Sequence, residues 1–174
     1  MDQQQIIDLV NQFRHNDGLP TLQLNEHLQN AATDKNNDMI QQQYFSHRTP
    51  EKSQDISAFV PEDYDYYAIG ENLAYGFQTP EELVSAWTHS ESHLSNILYR
   101  FYTDTGVAAE SVNGKYLVTH VFGITQEEYL EKSVEYEQET LDNTKEALYA
   151  TAFISSLMFI MVLAVLIRRR FQNK

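Results

Sequence analysis

The chain contains no cysteine, which excludes a disulfide framework and any chemistry that runs through a thiolate. Basic residues are scarce: 12 Lys and Arg stand against 25 Asp and Glu, for a formal net charge of −13. Four of the twelve, Arg168, Arg169, Arg170 and Lys174, sit at the C-terminal end, so residues 1–167 hold 8 basic against 25 acidic side chains. Nucleic acid is thereby excluded as a partner, because phosphate binding needs clustered Lys and Arg. An acidic surface of this kind favours solubility and cation binding and says nothing about fold. Neither Gly-x-Gly-x-x-Gly nor a P-loop is present, so no nucleotide cofactor is expected. The chain also lacks Gly-x-Ser-x-Gly and His-Glu-x-x-His, the marks of serine hydrolases and zincin proteases. Met1-Asp2-Gln3-Gln4-Gln5 carries no basic n-region, so no ordinary export signal is visible.

What is present divides the 174 residues into four stretches. Residues 1–124 have the composition of one soluble domain, long enough to bury a single core. Residues 125–146, rich in Glu, Gln, Tyr and Lys, read as a polar helical stalk; Tyr129, Leu130, Val134 and Leu141 are too sparse for a sustained heptad seam. Residues 147–167 form a run without a charge, about the ~20 residues a helix needs to cross a bilayer. The basic tail, 168–174, opens with the arginine triplet, and the positive-inside rule then places the tail in the cytoplasm and the domain on the outer side. The expectation is a single-pass cell-membrane protein with an extracytoplasmic N-terminal domain. Three routes stay open: insertion driven by the C-terminal span, a leader upstream of this sequence, or a tail-anchored domain that remains in the cytoplasm.

Within the domain, Ile6, Ile7, Leu9, Val10 and Phe13 fall at helical spacing among polar residues, an amphipathic core helix. Asn25 is placed to cap a second helix over 26–43, with Leu28, Ala31, Ala32, Met39 and Ile40 inward. Thr79-Pro80-Glu81-Glu82 is a stronger start signal, with a capping Thr, Pro at N1 and Glu at N3, ahead of Leu83, Val84, Ala86 and Trp87. Residues 105–111 and 115–122 alternate and flank Val112-Asn113-Gly114, where Asn-Gly is a favoured two-residue hairpin turn. Helices first, strands last and no βαβ alternation argue for an α+β fold.

Three separated motifs carry the chemistry: Tyr44-Phe45-Ser46-His47, Gly70-Glu71-Asn72-Leu73-Ala74, and Ser90-Glu91-Ser92-His93 running into Asn96-Ile97-Leu98. Each sets a protonatable group in an apolar or aromatic stretch, where burial without partners would cost roughly 2–7 kcal/mol for a neutral polar group. A shared cleft accounts for all three. His89 and His93 also have the i, i+4 spacing of zinc ligands, but Ser90 is placed to cap a fresh helix, which would separate them.

With Asn11, Arg14 and Gly18-Leu19 upstream and Gly106-Val107 downstream, the pattern resembles the CAP superfamily (SCP-like or PR-1-like domains) in its short bacterial form, over residues 3–123. The resemblance implies a three-layer α-β-α sandwich, here extended by the transmembrane helix. It implies a cleft lined by His47, Glu71 and His93, with Glu91 as a further candidate, and with His47 and His93 as ligands to zinc or another divalent cation. Eukaryotic members place a second Glu three residues after the Trp; here that position is Ser90, and Glu91 is one off. In the bacterial pattern Ser-Pro-Gly-His, Glu91 and Ser92 replace Pro and Gly. Three functions follow as expectations: a membrane-held binding module for a metal and a small-molecule, lipid or peptide-like ligand; a metal-dependent hydrolase of peptides or envelope material with Glu71 as general base; or an adhesin with a relic cleft.

Overall fold

The computed structural model describes residues 1–172, with side chains as far as Met158 and at Met161. Met1–Tyr129 forms one compact unit and the chain from Leu130 onward a second.

In the first unit, helix α1 (Gln3–Asn16) starts where the Asp2 side chain accepts from the Gln5 N–H, and buries Ile6, Ile7 and Val10. After the two-residue strand β1 (Gln23–Leu24), α2 (Glu26–Gln41) opens on Asn25, whose side chain accepts from the His27 N–H. It ends two residues before the 43 expected from the sequence: Gln43 takes φ +56°, and the Tyr44 N–H returns to the Met39 carbonyl at 3.1 Å. A short 3-10 turn (Ile56–Phe59) leads to β2 (Tyr66–Tyr75). Thr79 caps α3 (Pro80–Thr88) as expected, and α4 (Glu91–Ile97) follows. Strands β3 (Asp104–Val112) and β4 (Lys115–Thr125) form the hairpin, with Asn113 at φ +51° and Gly114 at +77° in its two-residue turn.

The sheet runs β1-β3-β4-β2, parallel between β1 and β3 and antiparallel elsewhere. Side chains on successive strand residues point to opposite faces, and β4 shows the division. Val118, Phe122 and Ile124 join a core with Ile6, Val10, Leu83 and Trp87 from α1 and α3. Val121 meets Leu28 and Ala32 of α2, and Leu117 meets Met39. Helices therefore cover both faces, the three-layer sandwich that the resemblance implied. On the α2 side the approach is close: a Cβ at Gly106 would lie 2.5 Å from the Leu28 carbonyl oxygen. A larger residue there would push α2 off the sheet.

Two polar groups fix the layers. Asn36 of α2, fully buried, donates to the Leu117 carbonyl at 3.2 Å and accepts from the Thr119 hydroxyl at 2.7 Å. Arg14, also fully buried, has no carboxylate partner; its guanidinium donates to the carbonyls of Pro20, Ile97, Tyr99 and Tyr102 at 2.7–3.1 Å. It ties α1 to the loop after α4, and burial lowers its pKa to about 10.

Helix α5 (Gln126–Gln172) begins directly after β4. Its first turn belongs to the compact unit: Tyr129 stacks on Tyr67 with ring centroids 3.4 Å apart, and Glu128 accepts from the hydroxyls of Thr103 and Thr125 at 3.0 Å. The segment expected to cross a membrane, 147–167, lies in this helix, partly outside the residues whose side chains are described, and the arginine triplet lies wholly outside them. Among the described residues, no helix is long and apolar enough to cross a membrane.

Candidate functional site

The site forms at the β2 edge of the sheet, where both helical layers meet one strand. Three consecutive β2 residues each have a separate task there. Gly70 leaves room: a Cβ would lie 2.6 Å from the Tyr102 hydroxyl and 2.9 Å from Oδ1 of the Asn96 side chain. Glu71 turns toward α2, where its Oε2 meets Nδ1 of His47 at 2.6 Å. Asn72 turns to the other face, donating to the His93 carbonyl at 3.1 Å and accepting from Asn96 at 2.9 Å. The edge is also closed to a further strand, because the carbonyl of Glu71 accepts from Asn96 at 3.0 Å and that of Leu73 from Trp87 Nε1 at 3.3 Å.

A carboxylate only accepts, so His47 donates through Nδ1 and, when neutral, carries its lone pair on Nε2. The His47 side chain is 58% exposed while that of Glu71 is 4% exposed. A buried carboxylate thus orients a half-open imidazole, the arrangement usual behind metal-binding histidines. The hydrogen bond to Glu71 raises the His47 pKa, against the opposing effect of partial burial. The other oxygen, Glu71 Oε1, is buried without a hydrogen-bond partner.

His93, on α4, lies near enough to His47 for the two rings' charges to interact. Its Nδ1 lies 2.8 Å from Oγ of Ser90, the N-cap residue, whose hydroxyl makes no cap bond to the backbone. Desolvation lowers its pKa, and the nearby His47 lowers it further. His89 closes α3 instead, its Nδ1 2.7 Å from the Ser85 carbonyl, so the two histidines do not form one helical pair. Glu91 is exposed in the first turn of α4 and has no hydrogen bond or ion pair with His47, Glu71 or His93. Among the described residues, no group of three or more His, Cys, Asp or Glu side chains is placed to hold a metal ion.

Lys35 was not singled out from the sequence. On the buried face of α2, it is fully buried and its amine donates to the Tyr44 hydroxyl at 3.1 Å and the His47 carbonyl at 3.2 Å. The amine also lies over the rings of Tyr44 and Phe59, 5.0 and 5.2 Å from their centroids. Burial lowers its pKa, while Glu71, Asp38 and Asp55 act to raise it. The Tyr44 hydroxyl donates in turn to Asp38. Lys35 holds the His47 loop and sets a positive charge behind Glu71. A Lys between Asp34 and Asn36 looks like one more polar residue of a solvated helix; its alignment with buried Leu28, Ala31, Ala32 and Met39 was the available signal.

The family model described as "Cysteine-rich secretory protein family", CAP, matches residues 7–124. An uncharacterised Bacillus subtilis protein, YkwD, is 37% identical over 105 residues, 60% of this chain and 41% of its own. A second B. subtilis protein, named as the uncharacterised membrane protein YlbC, is 30% identical over 108 residues, covering 62% of this chain and 31% of its own. The chain thus spans less than half the length of either curated relative. Among solved structures, an extracellular protein containing an SCP domain from Bacillus anthracis superimposes with a TM-score of 0.59 at 26% identity, over 70% of this chain and 39% of its own.

Proposed function

This chain belongs to the CAP family of cysteine-rich secretory proteins, and we propose that its domain is a membrane-held binding module whose β2-edge cleft takes a divalent cation and a small ligand. The observation that carries the reading is the Glu71–His47 pair: Glu71 fixes the tautomer that leaves Nε2 of His47 open, with His93 within electrostatic reach. Two imidazoles with one orienting carboxylate suit zinc or another divalent ion, held by His47 and His93, with the remaining positions left to water or ligand atoms. Two protein ligands imply weak binding. A hydrolase would need Glu71 to take a proton from water, but its Oε2 is occupied by His47 and its side chain is almost wholly shielded; the binding reading therefore has the better support.

The membrane half of the proposal rests on the uncharged run 147–167 and the arginine triplet that closes it. The names of the relatives, one a membrane protein and one extracellular, are compatible with an extracytoplasmic domain. Isothermal titration of the full chain with zinc tests the cleft: heat is expected from the wild type and its loss from His47→Ala and His93→Ala. Heat unchanged in both variants overturns the proposal. Protease added to intact cells should trim the domain and spare a small C-terminal fragment; a domain protected until the membrane is permeabilised overturns the outward placement.

A further inference from the structure

On the α2 face is a cavity of about 580 Å³ whose lining includes Met39, Ile40, Tyr44, Phe45, Tyr75 and Leu117 together with the amides of Gln43 and Asn113. Its volume falls within the range of ligand pockets, roughly 300–1,000 Å³. Its floor is core, since Met39 and Leu117 are buried. Its walls are not. Residues 1–129 expose six large apolar side chains, Leu24, Ile40, Phe45, Tyr66, Tyr67 and Tyr75, and three of these line this one cavity. Scattered exposed apolar residues are ordinary, but a concentration about a concavity marks a contact site.

Its polar lining has a definite chemistry. Gln43 and Asn113 present amides, and both have left-handed backbone, at φ +56° and +51°. Asn tolerates that region, but the residue just past a helix end is usually Gly or Asn, so Gln43 occupies a position its backbone does not favour. Lys115, paired across the turn with Val112, places its amine 5.8 Å from the Tyr75 ring centroid. A cation over one of the aromatic rings that line the cavity, on a chain of net charge −13, selects for a negative group beside the apolar one.

We propose that this cavity binds the C-terminal residue of a peptide, its bulky apolar side chain seated against the Phe45–Tyr75 ring pair, whose centroids lie 6.2 Å apart, and its terminal carboxylate toward Lys115. The amides of Gln43 and Asn113 are suited to hydrogen-bond the peptide group that precedes such a residue. This goes beyond the metal reading of the cleft and does not depend on it: none of His47, Glu71 or His93 lines the cavity.

The test uses the full chain and follows the methyl resonances of Met39, Ile40 and Leu117 during titration with N-acetyl-L-phenylalanine, its amide, N-acetylglycine and laurate. N-acetyl-L-phenylalanine should shift all three with a dissociation constant on the order of a millimolar, as suits a fragment of its size. It should bind about threefold more tightly than the amide. Phe45→Ala and Tyr75→Ala, at half-exposed positions, should each weaken it fivefold or more, and Lys115→Gln should abolish the preference for the carboxylate. Absence of N-acetyl-L-phenylalanine binding in a wild-type chain that still gives heat with zinc marks failure here and not of the cleft reading. The proposal is overturned by no shift, by equal shifts with N-acetylglycine, or by laurate saturating more tightly than N-acetyl-L-phenylalanine.

Discussion

Two histidines on opposite faces of the sheet, His47 and His120, are bonded in opposite ways. His120 on β4 is fully buried, its ring 4.0 Å from that of Phe122 and 5.6 Å from that of Trp87. Its Nε2 lies 2.6 Å from the Thr105 hydroxyl, which itself donates to the Val121 carbonyl at 3.0 Å. With that proton committed, the hydroxyl accepts from His120, so Nε2 carries the hydrogen and Nδ1 the lone pair. That Nδ1 is buried with no partner. Protonating it would put an uncompensated charge in the core, and burial lowers the pKa to about 3. In His47 the hydrogen is on Nδ1, a carboxylate welcomes the charge, and the pKa rises. The same imidazole is thus a packing group in one place and a proton- or ligand-accepting group in the other. The environment at the ring nitrogens decides which.

The largest expected effect tests the core member. Because the folded His120 binds its proton far less readily than an unfolded histidine, stability present above pH ~6.5 should fall steadily as pH drops toward about 3. The loss is expected to amount to a few kcal/mol, and urea unfolding across that range should show it flattened in His120→Gln. His47 contributes with the opposite sign: its raised pKa adds stability present below pH ~6.5 and lost as pH rises through the folded value.

Lys35 sharpens the comparison, since it is as buried as His120 but serves the cleft. Lys35→Met keeps the packing yet strips a donor from Tyr44 and from the His47 carbonyl and leaves Glu71 without its neighbouring cation. A cost of about 1–3 kcal/mol should appear as a lower urea midpoint, accompanied by changed His47 ring shifts. An unchanged midpoint and unchanged shifts would remove Lys35 from the cleft.

A smaller effect is expected from Glu71→Gln, which removes the charge holding up the His47 pKa. Proton NMR titration should show that pKa moving down, while His120 stays neutral across the same range. If His47 titrates as before, the 2.6 Å contact is not what sets its affinity for protons. The smallest is Glu91→Gln: exposed and without a bond to the cleft, it should change stability and zinc heats negligibly.

The sequence by itself determined those features whose causes are local. Asp2, Asn25 and Thr79 cap helices because a short polar side chain can reach the first free N–H groups, and Asn113-Gly114 turns a hairpin because both accept left-handed backbone. The Phe45-Ser46-His47 and Gly70-Glu71-Asn72 motifs likewise pointed to the cleft. Less legible were strand β2, which was not marked as a strand from the sequence, and β1, whose two residues gain their identity by pairing with Asp104 and Thr105. Only the tertiary structure decided the rest. It gave Glu71 to His47 and Asn72 to His93, because alternate residues of one strand face different helical layers. It buried Lys35 beside the cleft, left Glu91 exposed and unbonded to His47, Glu71 or His93, and packed His120 on Trp87 and Phe122, since the partners lie far apart in the chain and burial and hydrogen bonding arise only when the layers close.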